Sequence, residues 1–287
     1  MELSRFSRGE MLIGKEAAEK LARCHVAVFG LGGVGSYTAE ALARAGVGEL
    51  TVVDNDEISI TNINRQLYAL TSTVGMKKTQ VAAERIKDIN PECKVNIIDG
   101  FYLEENSADF FKGGYDYIAD AVDTVQAKLS LAAESQRRGI PLISCMGTGN
   151  KLDPTLFRVS DISKTSVCPL CRVMRRELKA RGINHLKVVW SPEQPIKPGE
   201  TAEESSRRAL PGSIYSNAYL IFTGGVFFDS QRKDQNSRQR LWRFGRRVRR
   251  CQDSRRAVDT ICRQRRYRQV RQRHRVQVLR QAGRAQA

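Results

Sequence analysis

The stretch HVAVFGLGGVG, from His25 to Gly35, decides the fold of this 287-residue chain. Its first five residues form a short apolar run typical of a buried strand, and the glycines after it are typical of a phosphate-binding turn. The Ala-rich segment 34–45 has helical spacing, and LTVVD, residues 50–54, predicts a second buried strand. This order of strand, glycine turn, helix and strand predicts a β-α-β unit that binds a nucleotide.

Three glycines of the turn have separate expected tasks. Gly30 allows a tight turn, Gly32 lets the main chain approach a phosphate, and Gly35 allows the helix to pack on the sheet. The helix N-terminus adds free N–H groups and the positive end of its dipole. Asp54 ends the second strand, where its carboxylate can accept hydrogen bonds from both ribose hydroxyls. These features suit NAD and ATP equally, so they leave the nucleotide undecided.

Strands and helices continue to alternate along the chain. A helix is predicted over 75–90, strands over 94–98 and 115–119, a further helix up to residue 138, and a fifth strand at PLISCM, residues 141–146. Such alternation predicts an α/β fold with a doubly wound, Rossmann-like, mostly parallel sheet and helices on both faces. In such sheets a ligand binds outside the carboxyl ends of the strands.

Three charged residues after these strands favour ATP over NAD. Arg65 lies in NINRQ, Lys78 in GMKK and Asp123 in DAVDT, so we expect all three to reach the crevice of the glycine turn. A triphosphate with Mg²⁺ uses cations on its phosphates and a hard oxygen ligand for the metal, whereas the pyrophosphate of NAD needs fewer charges. The alternatives are an exposed helix cation for Arg65 and a helix N-cap for Asp123.

The combined motifs carry a family resemblance. GLGGVG, LTVVDNDEI, TNINRQL, VGMKKT and DAVDT, in this order and spacing, resemble the ubiquitin-activating-enzyme-like adenylation family, which includes ThiF-, MoeB- and HesA-type proteins. Within it, ALARAGVGELTVVDNDEISITNINRQL, INPEC, IPLISCMGTGNKLDPT and ISKT most resemble the tRNA threonylcarbamoyladenosine dehydratases. The resemblance covers roughly residues 5–213.

The resemblance implies an enzyme that binds ATP with Mg²⁺ and a tRNA carrying N6-threonylcarbamoyladenosine. The threonyl carboxylate would be adenylated, and an intramolecular nucleophile would then displace AMP to give a cyclic, dehydrated base. By this resemblance Asp54 holds the ribose, Arg65 and Lys78 hold the phosphates, and Asp123 holds Mg²⁺. The implied nucleotide-binding residues are Gly30, Gly32, Gly33, Gly35, Asp54, Asp56, Asn62 and Gln66.

The resemblance also implies a homodimer. Relatives bring an arginine of the N-terminal segment across the dimer interface as part of the catalytic set. In RFSRGE, Arg8 is the candidate and Arg5 is the second choice. A sulfur-transfer protein is a further candidate partner.

Two other functions compete with this hypothesis. The first is an adenylyltransferase for a ubiquitin-like sulfur carrier protein, whose relatives carry two CxxC pairs for a structural zinc. Here one pair exists, Cys168 and Cys171, and the other five cysteines include no second CxxC. We interpret CPLC as a loop that leads into a helix, with zinc or redox use as the alternative. The second function is an ATP-binding scaffold without catalysis, which would bind ATP and form no AMP.

Composition indicates a cytoplasmic protein without a transmembrane segment. No apolar run is long enough to span a bilayer, the N-terminus lacks the apolar region of a secretory signal, and seven irregularly spaced cysteines suit a reducing compartment. The basic stretch RVMRRELKARG, residues 172–182, predicts an amphipathic helix that either follows an RNA backbone or is a solvated face. Residues 190–204 predict a flexible loop over the site.

The charge of the chain is concentrated at one end. Residues 1–214 contain 28 basic and 27 acidic residues, whereas residues 215–287 contain 20 basic and 4 acidic ones. We therefore predict an ATP-binding adenylation domain over 1–214 and a basic, disordered or aberrant tail over 215–287. The tail is either an arm that binds tRNA or the product of a shifted reading frame. Its 19 arginines against one lysine, and the abrupt end of the family pattern, favour the shifted frame.

Overall fold

The computed structural model describes residues 4–197 of the chain. The predicted boundary at residue 214, the predicted tail over 215–287 and the second half of the predicted loop over 190–204 lie outside the described residues.

Within this range the strands and helices alternate for most of the chain. The strands are His25–Phe29 (β1), Glu49–Asp54 (β2), Lys94–Asp99 (β3), Tyr117–Asp120 (β4), Leu142–Cys145 (β5), Arg158–Asp161 (β6) and Lys187–Trp190 (β7). The α-helices are Ser7–Ile13 (α1), Lys15–Ala22 (α2), Gly35–Arg44 (α3), Lys78–Ile89 (α4), Ser107–Phe110 (α5), Val125–Arg138 (α6) and Pro169–Ala180 (α7). Short 3-10 helices lie at Ile60–Asn62, Thr71–Thr73, Pro154–Leu156 and Ile162–Lys164.

The seven strands form one sheet in the order β3-β2-β1-β4-β5-β7-β6. All neighbouring strands run parallel except β6 and β7, which run antiparallel. The predicted doubly wound, mostly parallel α/β fold is therefore confirmed. The chain order reverses at β1, whose neighbours are β2 and β4, and this is the switch point at which open α/β sheets bind ligands.

Residues of the central strands pack alternately on the two faces of the sheet. Val26 and Val28 of β1 belong to one buried cluster, and Ala27 and Phe29 belong to the other. All four are at most 2% exposed. Because both faces are covered by helices, β1 is apolar along nearly its whole length, as expected of a parallel strand in such a sheet. The two clusters pack β1 from both sides, and the glycine turn follows this strand directly.

The structure differs from the sequence predictions mainly at the edge of the sheet. Strand β6 was not predicted because it carries no apolar run and two of its four residues are exposed. Strand β7 was not predicted either, although three of its four residues are buried. Trp190 was assigned to a flexible loop, and this is wrong: it ends β7, is 4% exposed and donates a hydrogen bond from Nε1 to Ser160 Oγ at 2.8 Å. The helix predicted over 75–90 begins only at Lys78, since Gly75 has a φ of +86° and Lys77 forms a β-bridge with Glu57.

None of the helices between residues 4 and 197 is both long and apolar enough to cross a membrane.

Candidate active site

A crevice of about 860 Å³ opens at the carboxyl ends of the central strands. Ten of the residues predicted for the site line it together: Gly30, Gly32, Gly33, Asp54, Asp56, Asn62, Arg65, Gln66, Lys78 and Asp123. Gly35 and Arg8 are not among the lining residues. The half of the crevice on the side of β4 and β5 is lined by Lys128, by residues 145–149 from the end of β5 onward and by Leu170. Its volume suits a ligand of nucleotide size.

Two glycines of the turn, Gly30 and Gly35, are required by close contacts. Gly30 has a φ of +85°, and a Cβ there would lie 2.7 Å from the carbonyl oxygen of Ala121. A Cβ on Gly35 would lie 1.7 Å from the carbonyl oxygen of Gly30, so Gly35 acts in packing and does not face the cavity. At Gly32 the nearest atom to a Cβ would be Gln66 Nε2 at 3.8 Å, which leaves the main chain open to a ligand.

Asp54 is fixed beside this turn by main-chain hydrogen bonds. Its Oδ2 accepts the N–H of Leu31 at 2.6 Å, and its Oδ1 accepts the N–H of Asp56 at 2.9 Å. Its side chain is 9% exposed. Each oxygen keeps a second lone pair, so the carboxylate can still accept hydrogen bonds from a ribose.

Lys78 begins α4 and points into the crevice against two carboxylates. Its Nζ lies 2.7 Å from Asp56 Oδ2 and 3.8 Å from Asp54 Oδ1. Lys78 itself is 5% exposed, whereas the Asp56 side chain is 59% exposed. Asp56, predicted from the sequence to bind the nucleotide, is here the partner of Lys78. We call this pair the open ion pair, because one of its members faces solvent.

Arg65 is held at the crevice by the segment around it. Its Nη1 donates to the carbonyl oxygen of Thr61 at 2.8 Å and to Asn64 Oδ1 at 3.0 Å. It lies in a turn after a 3-10 helix, so the alternative of an exposed α-helix cation is wrong. Asn62 Oδ1 accepts the N–H of Ser59 at 3.1 Å and thereby caps that 3-10 helix. Asn62 thus shapes the segment that carries Arg65.

Asp123 lies exposed in the loop between β4 and α6 and lines the crevice. The N-cap of α6 is Thr124, so the alternative that Asp123 is an N-cap is wrong. Three residues earlier, Asp120 is fully buried at the end of β4. Two acids of the same motif therefore occupy opposite environments.

Asp120 forms an ion pair that the sequence analysis missed. Lys128 Nζ lies 3.1 Å from both Asp120 Oδ1 and Asp120 Oδ2, and Ser144 Oγ donates to Oδ2 in a short contact. The exposed fractions are 0% for Asp120 and Ser144 and 1% for Lys128. We call Asp120 and Lys128 the sealed ion pair. The two residues are eight positions apart across the start of a helix, and nothing in the sequence marked this lysine as buried.

Cys145, the cysteine that lines the crevice, is not arranged as a nucleophile. Burial raises the pKa of Cys145 to about 12, so its thiol stays protonated near neutral pH. Cys168 is the N-cap residue of α7, which confirms that CPLC leads into a helix. A hydrogen bond with Cys171 lowers the pKa of Cys168 and raises that of Cys171. Between residues 4 and 197, no group of three or more His, Cys, Asp or Glu side chains is placed to hold a metal.

The basic residues outside the crevice have varied environments. Arg8 is exposed on α1, and Arg5 Nη1 donates to the carbonyl oxygen of Ile89 at 2.8 Å. Helix α7 buries Cys171, Met174 and Leu178 and exposes its basic side, as an amphipathic helix should. The roles predicted for Arg8 and for this helix stay predictions.

Comparisons with known proteins agree with this geometry. The ThiF family model matches residues 6–192. A tRNA threonylcarbamoyladenosine dehydratase from Bacillus subtilis is 52% identical over 233 residues, which is 78% of this chain and 91% of that protein. Crystal structures of the Escherichia coli tRNA N6-threonylcarbamoyladenosine dehydratase, TcdA, in complex with ATP and with AMP each superpose with a TM-score of 0.72 at 36% identity, covering 82% of this chain and 96% of theirs. The chain therefore belongs to the ThiF family, in the branch that contains the tRNA threonylcarbamoyladenosine dehydratases.

Proposed function

We propose that the chain is an ATP-dependent dehydratase that cyclises N6-threonylcarbamoyladenosine in tRNA through adenylation of its carboxylate. The observation that carries the proposal is the single crevice at the switch point of the sheet, where the glycine turn, Arg65, Lys78 and Asp123 line one cavity. Family membership supplies the acyl substrate, since the cavity alone fits any adenylation reaction.

In this proposal the two halves of the crevice bind different parts of the reactants. The open main chain at Gly32 and the N-terminus of α3 bind phosphate oxygens, and Asp54 binds the ribose. Arg65 and Lys78 neutralise the charge that grows on the departing diphosphate, where fixed cations accelerate the reaction most. Lys78 reaches this role by exchanging the exposed carboxylate of Asp56 for a phosphate. Residues 145–149 and Leu170 then face the modified base.

The chemistry needs no nucleophile from the protein. One oxygen of the threonyl carboxylate attacks the α-phosphorus of ATP, and diphosphate leaves. A nucleophile within the same modified base then attacks the acyl carbon, and AMP leaves with that oxygen, so the base loses one water overall. The protonated state of Cys145 agrees with this, because a neutral thiol is a weak nucleophile.

We propose Asp123 as the protein ligand of Mg²⁺. An exposed carboxylate beside the phosphate-binding turn fits this ion, which keeps several waters and is bound through one or two carboxylates together with substrate phosphates. When bound, Mg²⁺ lowers the charge on the phosphates and makes the α-phosphorus easier to attack. Asp120 does not compete for the ion, because Lys128 neutralises it.

The remaining parts of the proposal concern partners. We propose that the protein works in the cytoplasm as a homodimer, in which the exposed Arg8 of one protomer completes the site of its partner. The tRNA backbone would contact the exposed basic side of α7, and a sulfur-transfer protein is a further candidate partner. The domain boundary proposed at residue 214 places all of the crevice within the adenylation domain.

The test follows AMP release and nucleoside mass together. Purified protein is mixed with Mg-ATP and tRNA carrying N6-threonylcarbamoyladenosine, with tRNA carrying unmodified adenosine at that position as the control. We expect AMP in equal amount to a nucleoside lighter by one water, only with the modified tRNA, and loss of both with Arg65→Ala. AMP formed only with a sulfur carrier protein would support the adenylyltransferase instead. ATP binding without AMP from any substrate would support the scaffold.

A further inference from the structure

We propose that Lys128 is a positioning residue of the ATP site. Its sealed ion pair with Asp120 holds the loop of residues 121–124, so that Asp123 is the carboxylate presented to Mg-ATP. This inference rests on the proposed assignment of Asp123 as the Mg²⁺ ligand and goes beyond it, because Lys128 acts through the loop and not on the reactants.

The ammonium group of Lys128 is fully occupied within the protein. It lies 3.1 Å from each oxygen of Asp120 and 3.4 Å from Ser144 Oγ, which uses its three N–H donors. Lys128 is 1% exposed, although its side chain borders the crevice. It therefore has no donor left for a phosphate, and a direct catalytic role is excluded in this arrangement.

Asp120 connects Lys128 to the loop of residues 121–124. Its Oδ1 accepts the N–H of Val122 at 3.1 Å, next to the residue that bears the functional carboxylate. The N–H of Ala121 donates to the carbonyl oxygen of Phe29 at 2.8 Å, and the main chain of Ala121 packs against Gly30. The loop is thus fixed to β1, to the glycine turn and, through Asp120, to α6. Lys128 provides the contact from α6.

The charge of Lys128 also keeps Asp120 from competing with Asp123 for the metal. Asp120 and Asp123 are three residues apart; Asp120 is the last residue of β4, and Asp123 lies in the loop that follows. A buried carboxylate without a partner carries a large desolvation cost, which it relieves by turning toward water or a cation. Pairing with Lys128 removes that tendency from Asp120. A Mg²⁺ ion bound with ATP then has one carboxylate to recruit in this loop, that of Asp123.

The experiment compares ATP affinity with Mg²⁺ and with EDTA, by calorimetry on the full chain. The main variant is the double substitution Asp120→Asn/Lys128→Met, which removes both buried charges and so avoids leaving one unpaired. We expect the gain in ATP affinity from Mg²⁺ to fall about tenfold, as for other residues that orient a metal ligand. Affinity in EDTA should stay within about twofold of the parent. An unchanged gain would overturn the proposal.

Two further variants separate positioning from stability alone. Ser144→Ala removes the hydrogen bonds of Ser144 Oγ with Asp120 and Lys128 from the β5 side but leaves the ion pair itself, and it should lower the melting temperature but keep the Mg²⁺-dependent gain. Lys128→Arg keeps the charge and should restore the gain relative to the double variant. If Ser144→Ala loses the gain in proportion to its melting temperature, Lys128 is only structural.

This binding experiment uses no tRNA, so it fails independently of the proposed function. A parent protein that gains affinity from Mg²⁺ but leaves N6-threonylcarbamoyladenosine unchanged would overturn the dehydratase function alone. A parent protein without any Mg²⁺-dependent gain would overturn the metal role of Asp123, and the positioning role of Lys128 with it.

Discussion

Each half of the crevice contains a lysine paired with an aspartate, and the two pairs differ in exposure. The open ion pair joins Lys78 to Asp56 at 2.7 Å, and the Asp56 side chain is 59% exposed. The sealed ion pair joins Lys128 to Asp120 at 3.1 Å, with both side chains at most 1% exposed. Lys78 begins α4, the first α-helix after β2, and Lys128 lies near the start of α6, the first after β4, so a lysine enters the crevice from each half of the sheet with different access to water.

This difference in exposure distinguishes a lysine that can exchange its partner for a ligand from a lysine that only fixes the structure around it. A lysine whose partner faces water can exchange that partner for a phosphate at low cost, because water and ligand replace the lost contact. A lysine sealed with its partner cannot exchange it, because separating two buried charges leaves each without a counter-ion. We therefore propose reaction chemistry for Lys78 and loop positioning for Lys128, and the following predictions test that division.

The largest effect on stability is expected from breaking the sealed pair on one side. Lys128→Met leaves Asp120 buried and unpaired, which should lower the free energy of unfolding by about 3–5 kcal/mol. The double variant Asp120→Asn/Lys128→Met should recover most of this loss, since it leaves no buried charge. Urea unfolding of the three proteins measures both values. Equal stability of the single variant and the parent would show that the pair is not sealed in solution.

Removing the lysine of the open pair should affect the reaction and not the fold. Lys78→Met takes a cation away from the departing diphosphate, and AMP formation should fall about 100- to 1,000-fold. The free energy of unfolding should change by less than about 1 kcal/mol, because Asp56 is exposed. Single-turnover AMP release measures the rate. The matched control is Lys77→Met, a neighbouring lysine that does not line the crevice, which should stay within about twofold of the parent.

Gly30 connects the two halves of the crevice, since its backbone touches the loop that carries Asp123. Gly30→Ala would place a Cβ 2.7 Å from the carbonyl oxygen of Ala121 and would strain a φ of +85°, so we expect a loss of about 1–3 kcal/mol in the free energy of unfolding. Gly32→Ala is the control, because the nearest atom would be 3.8 Å away, and its stability should match that of the parent. Equal losses in both variants would contradict the contact between the halves.

The smallest effect is expected from a partly exposed group of one carboxylate and two arginines. Arg85 and Arg44 both contact Glu40; burial raises the pKa of this carboxyl, but the hydrogen bonds from the two arginines outweigh it and lower the pKa overall. Because the folded pKa lies below the unfolded value, the pair stabilises the protein above that value and loses its effect as pH falls through the folded pKa. Glu40→Gln should cost less than about 1 kcal/mol near neutral pH, and the difference from the parent should vanish in acid.

The pH series uses urea unfolding of the parent and of Glu40→Gln. A difference that stays constant into acid would show that Glu40 contributes through packing and not through its charge.

Much of the fold was predictable because buried parallel strands and the helices between them have recognisable sequence patterns. The run HVAVF and the stretch LTVVD are apolar along nearly their whole length, and their helices carry the 3.6-residue period. The sequence did not predict strand β6, because this strand lies at the sheet edge and half of its residues are exposed to solvent. Its pairing with β7 depends on contacts between distant segments, which local pattern does not encode.

The site was predictable in its members but not in its internal contacts. The glycine turn, Arg65, Lys78 and Asp123 were found from motif and strand position. The pairing of Asp56 with Lys78 was not, because the sequence shows the two residues 22 positions apart with no mark of contact. The sealed pair was missed for the same reason, since a lysine in a helix is usually solvated. Burial of charge depends on tertiary packing, and the open ion pair and the sealed ion pair differ in this burial.

The most direct measurement follows one oxygen atom. tRNA is prepared with ¹⁸O in the threonyl carboxylate of N6-threonylcarbamoyladenosine and is turned over with Mg-ATP, and the AMP is analysed by mass spectrometry. Adenylation of the carboxylate predicts one ¹⁸O in the phosphate of AMP and one retained in the cyclic base. Unlabelled AMP, or label found in inorganic phosphate or diphosphate, would contradict adenylation by this crevice.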